Sequence, residues 1–313
     1  MKKSLFSVWF YGVLVACALS LLLVSCGGGG GGGSDDYVAP VAESGSTTTN
    51  ISVVLVQGAT FNGATAITGS QVFIENRTVN IPSLLVCDHE VTQEEFQSVM
   101  GSNPSGFSGT NKPVDDVSWY EALVYCNKLS IREGKSPCYK ISGKTNPSEW
   151  GAVPTRNDAT WSAAECDFTA NGYRLPTEAE WEYFAREGNL TNSGQTTYSG
   201  SDIIENVAWY YDNACSVGAS DPNYGTHQVK TKAKNSLNLY DMTGNVWEWC
   251  WDWYGSISSS TPSTGASSGS NRVHRGGGWN NNDGGCSVVY RGWDNPNYRG
   301  DCNVGFRVVR SAE

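Results

Sequence analysis

Past residue 50, hydrophobic and polar positions change over in short stretches, and each stretch predicts an element. "ISVVLV" (51–56) and "QVFIE" (71–75) are dense in apolar and β-branched residues and read as short strands. "VTQEEFQSVMG" (91–101) predicts a helix that Thr92 caps and Gly101 closes. In "SWYEALVYCNKLSIREG" (118–134), Trp119, Ala122, Leu123 and Cys126 fall at i, i+3, i+4 and i+7 on one helical face, with Ser118 as the cap. "RLPTEAEWEYFAREG" (174–188) holds a third helix: Thr177 and Glu180 have capping-box spacing, and Trp181, Phe184 and Ala185 point inward. In "GNVWEWCWDW" (244–253), Trp247, Trp249, Trp251 and Trp253 alternate with Glu248, Cys250 and Asp252. A strand puts those four indoles on one face, and core packing is the plain reading of them. "RVHRGG" (272–277) and "VGFRVVR" (304–310) read as further short strands, and the remainder is turn-rich without an internal repeat.

The first 50 residues follow another logic. Lys2 and Lys3 precede an apolar run from about Leu5 to Val24 that ends in "LVSC" (23–26). This has the form of a bacterial lipobox, with cleavage before Cys26 and acylation of its thiol; a transmembrane helix is the alternative. Glycines 27 to 33 cannot pack and make a flexible tether. The expected organisation is a signal peptide over 1–25, a lipidated Cys26 and linker over 26–50, and one domain over 51–313. Such a chain is anchored to a membrane surface outside the cytoplasm, in the bacterial envelope and exposed on the outer membrane.

Composition narrows the function. A net charge of −10 argues against a nucleic-acid partner. With 36 Gly, 12 Trp and only 17% charged residues, the chain suits tight turns around aromatic packing better than a helical bundle. Apart from Cys17 and Cys26, eight cysteines remain, an even number that permits disulfides in an exported chain without fixing their pairing. No C-x-x-C metal pattern occurs, and His89, His227 and His274 are scattered.

"EVTQEEFQSVMGSNP", "PVDDVSWYEALVYCNKLS", "NGYRLPTEAEWEYFAREG", "LYDMTGNVWEWCWDW" and "RGGGWN…NVGFRVV" stand in that order along the chain. Together they resemble the formylglycine-generating (sulfatase-modifying factor) family over residues 51 to 313. The resemblance implies an irregular α+β fold, a variant of the C-type lectin fold with little regular secondary structure.

It also implies metal sites. Stretches similar to "DMTGNVWE" build a calcium site in the family, which places Asp241, Gly244, Val246 and Glu248 as ligands. "ENVAW" and "DPN" match a second site less closely, at Asn206, Val207, Asp221 and Asn223. Calcium takes six to eight hard oxygens; the alternative is that these carboxylates pair with arginines or solvate loops. Family enzymes oxidise a sulfatase cysteine with copper(I) held by a C-x4-C pair. Here those positions fall on Asn281 and Cys286. An Asn amide is a poor copper(I) ligand and a lone thiol cannot form the pair, so neither copper nor oxidase activity is expected. Cys302 is a candidate disulfide partner for Cys286.

The last 40 or so residues mix two kinds of position. Gly276, Gly277, Trp279, Arg291, Pro296, Arg299, Gly305, Phe306 and Arg307 look like demands of a backbone or core. Between them lie Asn280, Asn282, Asp283, Gly285, Ser287, Val289, Tyr290, Gly292, Trp293, Asp294, Tyr298, Gly300, Asp301 and Cys302, without periodicity. Most of these residue types are one or two adenine changes from an AAY asparagine codon; Trp293 is not. The stretch resembles the variable region of diversity-generating retroelement proteins, which rewrite template adenines into the C-terminal cassette of a C-type lectin-fold protein. Rigid aromatic side chains among Asn, Ser and Gly are also the composition of paratopes. The expectation is a monomeric surface binder of an unknown protein or glycan, with its variable face over about 273–309. A fixed structural envelope lipoprotein is the bland alternative, and a copper-dependent oxidase is disfavoured by Asn281.

Overall fold

The computed structural model describes residues 51–300 and 302–312. The segment expected to hold a signal peptide, an acylated Cys26 and a linker lies outside the described residues, as does Asp301.

Four helices begin where capping chemistry dictates. α1 (Gln93–Met100) starts at a capping box in which Thr92 and Glu95 satisfy each other's backbone N–H groups, and Gly101 ends it in the left-handed region at φ 83°. α2 (Trp119–Arg132) repeats the box with Ser118 and Glu121. The short α3 (Ala159–Ser162) is capped by Asp158. α4 (Glu178–Ala185) uses Thr177 and Glu180 as expected, but all eight of its residues are buried. Its glutamates face arginines instead of water: Glu178 binds Arg291, Glu180 binds Arg174, and Glu182 binds Arg186 and Arg275.

Strands are short. β1 (Val53–Val56), β4 (Leu84–Cys87) and β11 (Val309–Ser311) form an antiparallel sheet with β4 central. β2 (Ala59–Phe61) with β3 (Val79–Ile81), and β5 (Tyr139–Lys140) with β6 (Glu165–Cys166), make two-stranded ladders. The fourth sheet runs in the order β10 (Val304–Gly305), β7 (Trp247–Trp253), β8 (Arg272–Arg275), β9 (Gly292–Asp294). "QVFIE" is not a strand. The Ser70 hydroxyl accepts the N–H groups of Val72 and Phe73 and folds the segment into a turn, so these two neighbours are both buried and period two is lost.

β7 separates two cores. Trp247 and Trp249 belong to one, with Trp251 packed against it, while Cys250 on the opposite face belongs to the other. Trp247, Trp249 and Trp251 thus share a face as expected, while the pairing with β8 shifts register between Trp249 and Trp253, and Glu248 and Asp252 are buried as well. The end of the chain ties the architecture together: β10 pairs in parallel with β7, and β11 pairs with β4. Between them Phe306 is fully buried against Phe96 and Tyr125.

Candidate ligand-binding face

Residues 276–303 leave β8, loop outward, return through β9 and re-enter the core at β10. Gly276 and Gly277 make the exit turn at φ 95° and 76°. A Cβ on Gly277 would lie 2.5 Å from the Cys286 sulfur, so only glycine lets the loop close.

Frame side chains then hold the loop by its backbone. Arg275, fully buried and neutralised by Glu182 at 2.5 Å, donates to the carbonyls of Val288 at 2.9 Å, Val289 at 3.3 Å and Tyr290 at 2.7 Å. Arg291 forks onto Glu178 at 2.6 and 2.8 Å and donates to the Gly255 carbonyl. The Trp279 indole N–H donates to the Cys302 carbonyl at 2.7 Å. The Asp116 carboxylate accepts the Cys302 N–H at 2.8 Å. Main-chain bonds from Val288 N–H to Thr197 and from Tyr211 N–H to Asn281 complete the attachment.

The side chains sort by exposure. Tyr290 and Trp293 are about half exposed, at 48% and 49%. Asn282, Asp283 and Gly284 are exposed, and Asn280, Asn281, Ser287, Asp294, Gly300 and Cys302 are half-buried. Asp294 also meets His274 Nε2 at 3.2 Å. Tyr290, the three asparagines 280–282 and the glycines 284 and 285 line an open cleft of about 790 Å³. Its further wall is Tyr211, 43% exposed, which the sequence reading did not select. The signal was present in "WYYDN": of two adjacent tyrosines in a short turn, one faces in and one out, and here Tyr210 is buried.

Several expected face residues belong to the frame instead. Gly292 is buried, and a Cβ there would sit 2.2 Å from the His274 ring. Val289 packs against Gly69 and the second core, and Tyr298 packs against the first. Cys286 is a buried thiol in no disulfide, so the pairing with Cys302 is not formed.

The copper positions are adjacent in space but do not fit copper. The Asn281 side-chain oxygen accepts the Gly278 N–H at 3.0 Å, and the Asn281 carbonyl is 3.9 Å from the Cys286 sulfur. Burial, with a smaller push from Asp283, raises that thiol to about 12, far from a thiolate.

The first calcium set does not fit either. Both Glu248 oxygens are engaged: Arg307 binds them at 2.7 and 2.5 Å, and the Trp181 indole N–H donates at 2.7 Å. Asp241 is buried and accepts the Lys230 N–H at 2.8 Å. Glu90 completes this acidic pocket, accepting from Asn245 and from the Val246 N–H. The second set stands on two turns. Asn206 and Val207 end the 204–206 turn, while the half-buried Asp221 accepts the N–H of the exposed Asn223.

Comparison with known proteins places this architecture. The model of the sulfatase-modifying factor enzyme 1-like domain matches residues 38–312. A chaperone protein, LppX of Paenibacillus barcinonensis, is 38% identical over 277 residues, covering 86% of this chain and 92% of that protein. The formylglycine-generating enzyme of Streptomyces coelicolor is 32% identical over 170 residues, 49% of this chain and 52% of the enzyme. Among solved structures, Treponema denticola variable protein 1 superposes with a TM-score of 0.71 at 36% identity, covering 83% of this chain and 95% of that one. CarF, at 24% identity and a TM-score of 0.63 over 84% of this chain and 99% of its own, shares the fold. With its irregular α+β fold, its capped helices and the tryptophan strand in family order, the chain belongs to the sulfatase-modifying factor enzyme 1-like domain family.

Proposed function

We propose that this chain is a non-enzymatic envelope lipoprotein, anchored through Cys26, which displays a diversified ligand-binding face on a formylglycine-generating-enzyme-type scaffold. One observation carries the reading. Arg275, Trp279 and Asp116 hold residues 288–302 through backbone atoms. A loop held by its main chain keeps its shape whatever side chains it bears, which is what a variable binding surface on a rigid support requires. Exposed Tyr290 and Trp293 supply the aromatic area that dominates hot spots, and the asparagines supply adaptable hydrogen bonds. The likeness to a variable protein over 83% of the chain supports the same reading. The adenine-accessible residue types support diversification by a retroelement.

The likeness to a chaperone supports a second reading, in which the same face holds a client protein transiently. The two part in one experiment. Full-length protein is presented to outer-surface fractions of host and bacterial cells, and separately to a refolding exported protein. Saturable capture of one surface component by wild type, lost in Tyr290→Ala with Trp293→Ala, supports the binder. Suppression of aggregation without such capture supports the chaperone. Fatty-acid labelling that survives in Cys26→Ser would remove the anchor from either.

A further inference from the structure

Where the chain leaves the variable face, Asp115, Asp116 and Cys302 converge. One potential ligand atom from each lies within 4.8 Å of the other two. The two aspartates precede α2, and Cys302 precedes β10, so the cluster joins the constant frame to the end of the variable stretch. The Asp116 Oδ2 to Cys302 Sγ separation is 3.7 Å.

Backbone donors fix the cluster from behind. The Gly106 N–H donates to Asp115 Oδ1 at 2.7 Å, and the Cys302 N–H donates to Asp116 Oδ1 at 2.8 Å. Asp115 is fully buried, and its Oδ2 has no hydrogen-bond partner. Such an orphaned buried carboxylate oxygen is costly in a native structure and calls for an explanation. Gly106 roofs the cluster: a Cβ there would meet the Cys302 sulfur at 2.2 Å and Asp116 Oδ2 at 3.5 Å.

The donor set selects the ion. One thiolate excludes calcium, which wants six to eight oxygens. Two carboxylates are too hard for copper(I). Mixed sulfur and oxygen donors suit zinc and its class. Ligands about 2.0–2.3 Å from a tetrahedral zinc stand roughly 3.5 Å apart, near the observed sulfur–oxygen separation. We propose that Asp115, Asp116 and Cys302 form a zinc-class divalent-metal site. On binding, the metal replaces the Cys302 thiol proton, which passes to solvent.

Cobalt(II) is the probe, because thiolate ligation gives it a charge-transfer band. The full chain is stripped with chelator and titrated with the ion. One equivalent should raise a thiolate-to-cobalt band in the near ultraviolet that zinc abolishes. Cys302→Ser should lose the band while melting like wild type in chelator. Asp116→Asn, which keeps an acceptor for the Cys302 N–H, is the second variant. It should bind zinc about tenfold or more weakly in competition with a chromophoric chelator. A featureless wild-type titration, an unchanged band in Cys302→Ser, or wild-type affinity in Asp116→Asn overturns the site. The readout is metal alone, so it stands or falls independently of ligand capture.

Discussion

The backbone N–H of Tyr211 donates to the carbonyl of Asn281 at 2.9 Å. This bond stitches a turn outside the proposed variable stretch to the first residues inside it. Tyr211 and Tyr290 consequently line one cleft, one ring from the 211–215 turn and one from the loop after β8. Binding should need both. Tyr290→Ala with Trp293→Ala should abolish capture of a surface ligand and lower stability by no more than about 1 kcal/mol, since both rings are half exposed and each meets its ring neighbour in a tilted arrangement. Tyr211→Ala should weaken capture with equally little effect on the melting temperature. If either variant unfolds, or captures like wild type, these rings are packing or bystanders.

Frame substitutions should do the reverse. Phe306→Ala removes a fully buried ring from contact with Phe96 and Tyr125, and a cost of about 3–5 kcal/mol is expected. Gly292→Ala drives a methyl group into the His274 ring and should be destabilising well beyond an ordinary surface change. Denaturant unfolding of both, beside the tyrosine variants, separates frame from face.

Much of this division was legible in the residues. Helix starts were readable because a capping box is local: Thr177 and Glu180 are three apart and need no tertiary information. The tryptophan strand was readable because alternation survives burial over Trp247, Trp249 and Trp251; the register shift before Trp253 was not. The electrostatic frame was not. Arg291 and Glu178 are 113 residues apart, and Arg307 and Glu248 are 59 apart. Pattern reading assigns charged residues to the surface, so α4 looked amphipathic although its glutamates are buried against arginines. Assigning Gly292 to the face failed for a related reason. Residue type records what a codon can become, not whether a Cβ has room.

The Glu248–Arg307 pair bears on metal dependence. Glu248→Gln should cost about 3–5 kcal/mol, because Arg307 is left buried without its counter-charge. A calcium-selective chelator should not reproduce that loss in wild type. If it does lower the melting temperature, the response should disappear in Asp221→Asn, on the second candidate set, and persist in Asp241→Asn. A calcium response lost in Asp241→Asn instead would restore the first set.

The same aspartate gives a pH signature. Burial is the main cause that pushes Asp241 up to about 6, against the Lys230 N–H, Arg307 and His89, which favour its charged form. Its unfolded value is about 3.9, so the folded state holds the proton more tightly. The stabilising contribution of the protonated group is complete below about pH 4 and is lost as pH rises through about 6. Asp241→Asn removes the titration, retains an acceptor for the Lys230 N–H and suits the left-handed φ of 55°. The variant should match wild type at about pH 4 and exceed it by on the order of 1–3 kcal/mol near neutrality. Equal stability at both pH values would show that this carboxyl does not titrate as its burial implies.

Diversification is tested by sequence alone. If adenines of a template repeat are rewritten, a second copy of the 3′ coding segment should lie nearby and differ only at adenines. Independent isolates should differ at exposed Asn282, Asp283 and Tyr290 and at half-buried Asn280, Ser287 and Asp294. Trp293 is not reached by adenine changes from an asparagine codon, so it should stay tryptophan as a fixed anchor among changing neighbours. Gly292 is the sharper case. A glycine codon is reachable from AAY by two adenine changes, so codon chemistry alone would let the position vary. The structure forbids it, because any Cβ there strikes the His274 ring at 2.2 Å. The template codon for residue 292 should therefore carry GG at its first two positions, with no adenine to rewrite. An AAY template at 292 with several residues found there among isolates, or substitutions spread evenly through residues 51–275, would refute the variable-face assignment.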